Sequence, residues 1–213
     1  IIDPTVIEGI VEFGAADEHE YVIEIGPGLG ALTERLMATH KKMAVVEIEE
    51  RFCRQLQEKF PTLRVECADV RNFDFSQLGS GLIVFGNLPY SFSTEIIFHL
   101  LDYAKTITRA VLMLQREFAE RVAASPGGRS YGALSVNAQI RADVRLGQVI
   151  PGDSFHPKAN VESMLLELRM LERARYGIDD LRWFRKVVQA CFLQRRKKLK
   201  NSLMASGIFP GPF

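Results

Sequence analysis

Apolar and polar positions along the chain alternate between two rhythms. Short runs of aliphatic and β-branched residues recur at 21–25, 43–48, 63–66, 82–85 and 108–114. Stretches with helical spacing follow at 31–39, 50–59, 93–104 and 115–124. This alternation predicts βαβ units around a mostly parallel sheet. "LIVF" and "AVLML" are apolar at every position, as strands covered on both faces are. Two further strands are predicted at 143–149 and 162–169, with only a loop between them, so they would pair antiparallel at the sheet edge. Beyond Leu171 the rhythm changes. Trp183, Phe184, Val187, Val188, Cys191, Phe192, Leu199 and Leu203 fall at helical spacing with basic residues between them, which predicts an amphipathic helix or helix pair. A boundary near 170–178 would divide a domain at 1–172 from the truncated beginning of a basic helical domain at 178–213.

Composition narrows the class. With 213 residues, 47% hydrophobic and 25% charged, the chain matches an ordinary globular protein. No apolar run approaches the roughly 18 residues of a membrane span, and no basic-then-apolar segment opens the chain. The first residue is Ile1 rather than Met, so a trimmed chain is expected. Cys53, Cys67 and Cys191 lack C-x-x-C spacing, and the four histidines are scattered, so neither a disulfide framework nor a metal site is expected. A reducing, cytoplasmic location follows as the default, with an organellar form left open.

The net charge of +1 conceals an asymmetry. Residues 169–201 hold eleven Lys/Arg against three Asp/Glu, a local +8, so the remainder sums to −7. The densest part is Arg195, Arg196, Lys197 and Lys198, with Lys200 close behind. A charge run is often only a solvated face; the functional alternative is a helix that meets nucleic-acid phosphates.

"VIEIGPGLGALTERL" joins the first strand to the first of these helices. Gly26 and Gly28 permit a tight turn, and free amides at a helix start suit a polar or anionic ligand. The loop satisfies G-x-G-x-x-G/A with Ala31 in the last place, and Glu47 follows Gly26 by 21 residues, where an acid accepts from ribose hydroxyls. A nicotinamide dinucleotide therefore remains possible on this motif. Glu24 favours another cofactor. Dinucleotide enzymes usually keep an apolar residue there, whereas a carboxylate suits the cationic S-adenosylmethionine. Asp69, after the third strand, would accept from an adenine amino group. Taken singly, the three acids are ordinary strand-end residues; together they converge on one crevice.

The fourth strand ends in "GNLPY", residues 86–90. Asn and Pro commonly mark turns, which is the plain reading. Beside a methyl-donor crevice, however, N-L-P-Y resembles the [DNS]-P-P-[YFW] signature of enzymes that methylate exocyclic amino nitrogens. The lone pair of adenine N6 is delocalised into its ring. Acceptors at the Asn87 side chain and the Leu88 carbonyl would hold the two N6 protons and favour a pyramidal nitrogen. Pro89 would stiffen the loop and Tyr90 would stack on the base. Phe155, in "SFHPKANVES", would offer a second stacking face or, more plainly, pack in the core.

"IIDPTVIEGIV", "EIGPGLGALTERL", "GNLPYSFST", "LMLQREFAERVAA", "YGALSV", "FHPKANVES" and "RRKKLKNSL" occur in this order. Through them the chain, from Ile1 to about Leu203, resembles the small-subunit ribosomal RNA adenine N6,N6-dimethyltransferases. The resemblance implies a class I, Rossmann-like methyltransferase fold with a seven-stranded sheet and a small C-terminal helical domain. It also implies S-adenosylmethionine as cofactor, dimethylation of adjacent adenines, and a partner in small-subunit rRNA or a pre-30S-type particle, with the protein a monomer. By the same resemblance Ile1, Gly26, Gly28, Glu47, Asp69 and Asn87 would contact the cofactor, with Glu24, Ile48 and Val70 nearby. Asn87, Leu88, Tyr90 and Phe155 would hold the adenine. The family's Gln-x-Phe before Ile1 is absent, Ala159 replaces the second proline of F-x-P-x-P and would loosen that loop, and most of the C-terminal domain is missing. Two rivals stand beside this reading: the macrolide-resistance methyltransferases of large-subunit rRNA, which share N-L-P-Y and F-H-P, and non-enzymatic relatives that only bind nucleic acid.

Overall fold

The computed structural model describes residues 3–16, 19–89 and 91–209. Seven strands, β1 (Tyr21–Ile25), β2 (Lys42–Glu47), β3 (Arg64–Cys67), β4 (Leu82–Asn87), β5 (Ile107–Gln115), β6 (Ala142–Ile150) and β7 (Ser163–Met170), form one sheet in the order β3-β2-β1-β4-β5-β7-β6. β1 to β5 pair in parallel. β7 runs antiparallel between β5 and β6. The expected late pair is therefore antiparallel, with β6 at the edge and β7 one place inside.

Among the described residues, eight α-helices connect and cover the strands: α1 (Pro4–Gly14), α2 (Ala31–Thr39), α3 (Glu50–Lys59), α4 (Ser93–Asp102), α5 (Arg116–Val122), α6 (Ala133–Gln139), α7 (Leu181–Phe192) and α8 (Leu199–Ser206). Alternate strand residues feed two cores. Ile23, Ile25, Val84, Leu112 and Leu166 pack with Ile96, Ile97 and Leu100 of α4 and Ala119 of α5. Val22, Val45, Ile83, Phe85 and Val111 pack with Ile10 of α1, Leu32 and Leu36 of α2 and Leu56 of α3. Burial on both faces explains the apolar runs, each large side chain contributing about 1.5–3 kcal/mol.

Two helices are not among those expected from the hydrophobic rhythm. α1 starts where Asp3 accepts a 2.9 Å bond from the Thr5 amide and Pro4 occupies the first turn. A Cβ on Gly14 would lie 2.4 Å from the Phe85 ring, so glycine lets α1 settle on the sheet. α6 buries the polar Ser135 and Asn137 beside Ala138, and both polar side chains bond to backbone carbonyls, at Arg121 and Ala133.

Three further expectations are corrected. Cys53 and Cys67 form a disulfide with Cα atoms 5.9 Å apart. Spacing along the chain gives no sign of it, because the contact arises only when α3 folds back beside β3. Arg195, Arg196, Lys197 and Lys198 lie in the exposed turn between α7 and α8 instead of on a helix. No apolar residue between Leu193 and Leu199 offers a face to bury, and Arg195 and Lys198, three positions apart, would repel on a helix. Finally, Ala159 tightens its loop: its amide donates to the Gly152 carbonyl at 3.1 Å, a bond proline could not make.

Candidate functional site

Strand order reverses between β1 and β4, and ligands of open α/β sheets bind beyond the C-terminal strand ends at such a point. Glu24, Glu47, Asp69 and Asn87 stand at or just beyond the ends of β1, β2, β3 and β4. The glycine loop turns there with φ of +64° at Gly26 and +56° at Gly28, values that favour glycine. A Cβ on Gly26 would come within 3.8 Å of the Asn87 carbonyl oxygen, so the loop and the β4 end flank one crevice.

Each acid is held differently. Glu24 is buried on the α2 side of the sheet, where Thr33 Oγ1 donates to its Oε2 at 2.6 Å. Burial pushes the Glu24 carboxyl up to about 7; the Thr33 bond opposes this and the neighbouring Glu47 charge adds to it. Glu47 Oε1 accepts from the Ile48 and Glu49 amides at 2.8 and 2.9 Å, and Oε2 accepts from Gly28 at 3.1 Å. A carboxylate oxygen has two acceptor positions, so Oε2 retains one. Asp69 accepts from Arg71 through both oxygens, and the Arg71 guanidinium holds its carboxyl below the usual range. Beyond these acids an open groove is lined by Ile48, Cys53, Cys67, Ala68 and Asp69, with the Ile48 side chain exposed. Val70 is half-buried against the core.

These residues fit S-adenosylmethionine. Glu24 offers a negative charge that a cation would restore, Glu47 Oε2 has room for a hydroxyl donor, and the groove offers an apolar wall and an acid. No groups of three or more His, Cys, Asp or Glu residues suited to a metal occur among the described residues.

At the end of β4 the Asn87 side chain is exposed while that of Leu88 is buried. The Leu88 amide donates to the Met113 carbonyl at 3.1 Å. The Pro89 carbonyl accepts from the Phe92 amide at 3.3 Å and from Ser93 Oγ at 3.0 Å. The turn is thus clamped to β5 and α4 while Asn87 stays open. Ile1 and Tyr90 lie outside the described residues. Phe155 sits past the end of β6, at the same end of the sheet, with its half-buried ring packed on the core. Sequence reasoning passed over two residues beside this crevice. Arg71 and Phe92 are in contact, and nothing in their spacing, 21 positions apart, announces it.

The basic turn is elsewhere. Arg195 is tied down by bonds from Nη2 to the Arg129 and Tyr131 carbonyls at 2.8 and 2.6 Å, while Arg196, Lys197, Lys198 and Lys200 are exposed.

A family model described as ribosomal RNA adenine dimethylase matches residues 1–208. The chain is 39% identical over 211 residues to the ribosomal RNA small subunit methyltransferase A of Syntrophotalea carbinolica, covering 97% of this chain and 79% of that protein. To the Marinobacter nauticus protein of the same name it is 40% identical over 209 residues, covering 95% and 75%. Among solved structures, a dimethyladenosine transferase from Plasmodium falciparum matches with a TM-score of 0.83 and 26% identity, over 94% of this chain and 73% of that one. The 23S rRNA methyltransferase ErmE matches with a TM-score of 0.78 and 25% identity, over 95% and 82%.

Proposed function

The chain belongs to the ribosomal RNA adenine dimethylase family, which makes it an S-adenosylmethionine-dependent adenine dimethyltransferase of small-subunit rRNA, and we propose that transfer takes place in the crevice between the glycine loop and Asn87. The observation that carries this reading is the placement of Glu24, Glu47, Asp69 and Asn87 at or just beyond the C-terminal ends of four strands of one sheet.

When bound, the cofactor supplies a sulfonium-activated methyl group. The chain supplies the positioning. Glu24 would face the cofactor's ammonium, Glu47 Oε2 its ribose and Asp69 its adenine, with Ile48 and Val70 beside that ring and Ile1, Gly26 and Gly28 lining the rest. Asn87 and the Leu88 carbonyl would accept the N6 protons of the target adenine, so the nitrogen lone pair points toward the methyl donor. Tyr90 and Phe155 would bracket the base by stacking. Acceptors held by a clamped turn need little reorganisation during the reaction, which is where their catalytic effect lies.

Residues 1–172 would then be the catalytic domain, and 178–213 the beginning of a basic helical domain that meets rRNA phosphates. Supporting the second part, α8 has no acid in its first turn and carries Lys198 at its N-cap, where the helix dipole disfavours cations. An external anion would relieve that arrangement. We assign the chain a cytoplasmic place, as a monomer acting on a small-subunit ribosomal particle, on the ground that the relatives it matches are named as small-subunit rRNA methyltransferases. Separately, no helix among the described residues is long and apolar enough to cross a membrane.

The test is mass spectrometry of nucleosides from small- and large-subunit rRNA after incubation with the protein and labelled methyl donor. Dimethylated adenine in small-subunit rRNA is expected. Label confined to large-subunit rRNA would move the chain to the macrolide-resistance activity, and no label in either would overturn the enzymatic reading.

A further inference from the structure

Arg71 stands between the two halves of the crevice. It follows β3, in the short 3-10 turn Val70–Asn72 that Asp69 caps. Its Nε donates to both Asp69 oxygens at 3.0 Å and its Nη2 to Oδ2 at 2.6 Å, while its own amide donates to Oδ1 at 2.9 Å. The same guanidinium lies 4.1 Å from the centre of the Phe92 ring. Its Nη1 reaches Glu95, on the first turn of α4, at 3.3 Å. Phe92 in turn carries the amide that holds the Pro89 carbonyl. One planar cation thus touches the acid on the cofactor side and the ring of the residue whose amide closes the turn on the substrate side.

We propose that Arg71 is a positioning residue for methyl transfer: a strut that orients Asp69 toward the cofactor's adenine and fixes the Asn87–Phe92 turn at a set distance from it. The inference rests on the reading of the crevice given above. Asp69 is half-buried, and without a partner its carboxylate would rotate freely. The guanidinium fork, gripping both oxygens, restricts that rotation. Stacking on Phe92 needs the flat face of the same group, so one arginine serves both contacts at once. A lysine would keep the charge and lose the plane. Glu95, in contrast, is well exposed and contributes little to holding the pair.

The two arms separate by experiment. Binding of S-adenosylhomocysteine, measured by calorimetry, reports the Asp69 arm without turnover. Single-turnover methyl transfer to rRNA at saturating cofactor reports the Phe92 arm. Arg71→Ala is expected to weaken binding and slow the single-turnover rate, each by about tenfold, a coupling typical of directly contacting residues. In an Asp69→Asn background the same change should no longer affect binding, and in a Phe92→Ala background it should no longer affect the rate. Arg71→Lys should recover part of the binding and little of the rate. Thermal unfolding of each variant serves as the structural control. Full additivity of Arg71→Ala with Asp69→Asn and with Phe92→Ala, or unchanged binding and rate in a folded Arg71→Ala protein, would overturn the strut. Failure of the unaltered protein to bind S-adenosylhomocysteine would instead overturn the reading of the crevice on which the strut depends.

Discussion

The two halves of the crevice are built on opposite plans. On the cofactor side every acid already has protein partners: Glu24 has Thr33, Glu47 has three amides and Asp69 has Arg71. On the substrate side the backbone is clamped, but the Asn87 side chain is exposed. A half with its carboxylates held by the protein can bind a small ligand with little reorganisation. A half with fixed backbone and open side chain gains its stabilisation only when the target base arrives. The first plan serves affinity and the second serves rate.

The largest effect should come from the substrate side. If Asn87 accepts from the reacting nitrogen as proposed, Asn87→Ala removes that acceptor, and the loss of one preorganised partner typically costs about 10²–10³-fold in rate. Single-turnover methylation should fall by that amount while affinity for S-adenosylhomocysteine falls far less. Equal losses in both would mean that Asn87 belongs to the cofactor half and would erase the contrast.

Glu24 gives the next largest effect, and it probes the cofactor side. Its folded value of about 7 lies above the ordinary 4.5. A raised carboxyl means that the folded state favours the protonated form, so its stabilising contribution is full below pH 4.5 and is lost as pH rises through about 7. In cofactor-free protein, Glu24→Gln keeps an acceptor for Thr33 and removes the charge. Urea unfolding should therefore find the variant more stable at pH 8 by about 3 kcal/mol, with the gap shrinking toward pH 5. Affinity for S-adenosylmethionine should move the other way, because the cation that Glu24 would face has no partner in the variant. A pH-independent gap would show that Glu24 is ionised throughout and that burial does not govern it.

How much of this was legible in the sequence differs along the same divide. Strand-end acids and the glycine loop were readable because parallel strands place their C-termini at one edge, so order along the chain becomes neighbourhood in space. β1, α2 and α3 fall on their expected residues, since apolar periodicity and Gly punctuation coincide there. What escaped was contact between elements far apart in the chain. The Cys53–Cys67 bond needs α3 to fold back beside β3, and the Arg71–Phe92 stack needs the β3 and β4 ends to be neighbours. α6 escaped for another reason: its buried Ser135 and Asn137 satisfy backbone carbonyls, so polarity there does not mean exposure.

The smallest effect lies outside the crevice, in the turn between α7 and α8, and it tests whether a third plan exists there. Arg195 is occupied by the Arg129 and Tyr131 carbonyls, holding the turn against the 129–131 loop. Its replacement by Ala should loosen that turn and lower thermal stability slightly. Arg196, Lys197 and Lys198 are exposed at the start of α8, where their charge opposes the helix dipole. If they meet single-stranded rRNA phosphates, removing each cation reduces the steepness of log affinity against log salt by about 0.7. Replacing all three by Ala should therefore flatten the slope by about 2 and weaken rRNA binding by a similar factor for any RNA sequence, with S-adenosylhomocysteine binding untouched. An unchanged slope would reduce these cations to a solvated surface, and recognition of rRNA would then have to reside in the crevice itself.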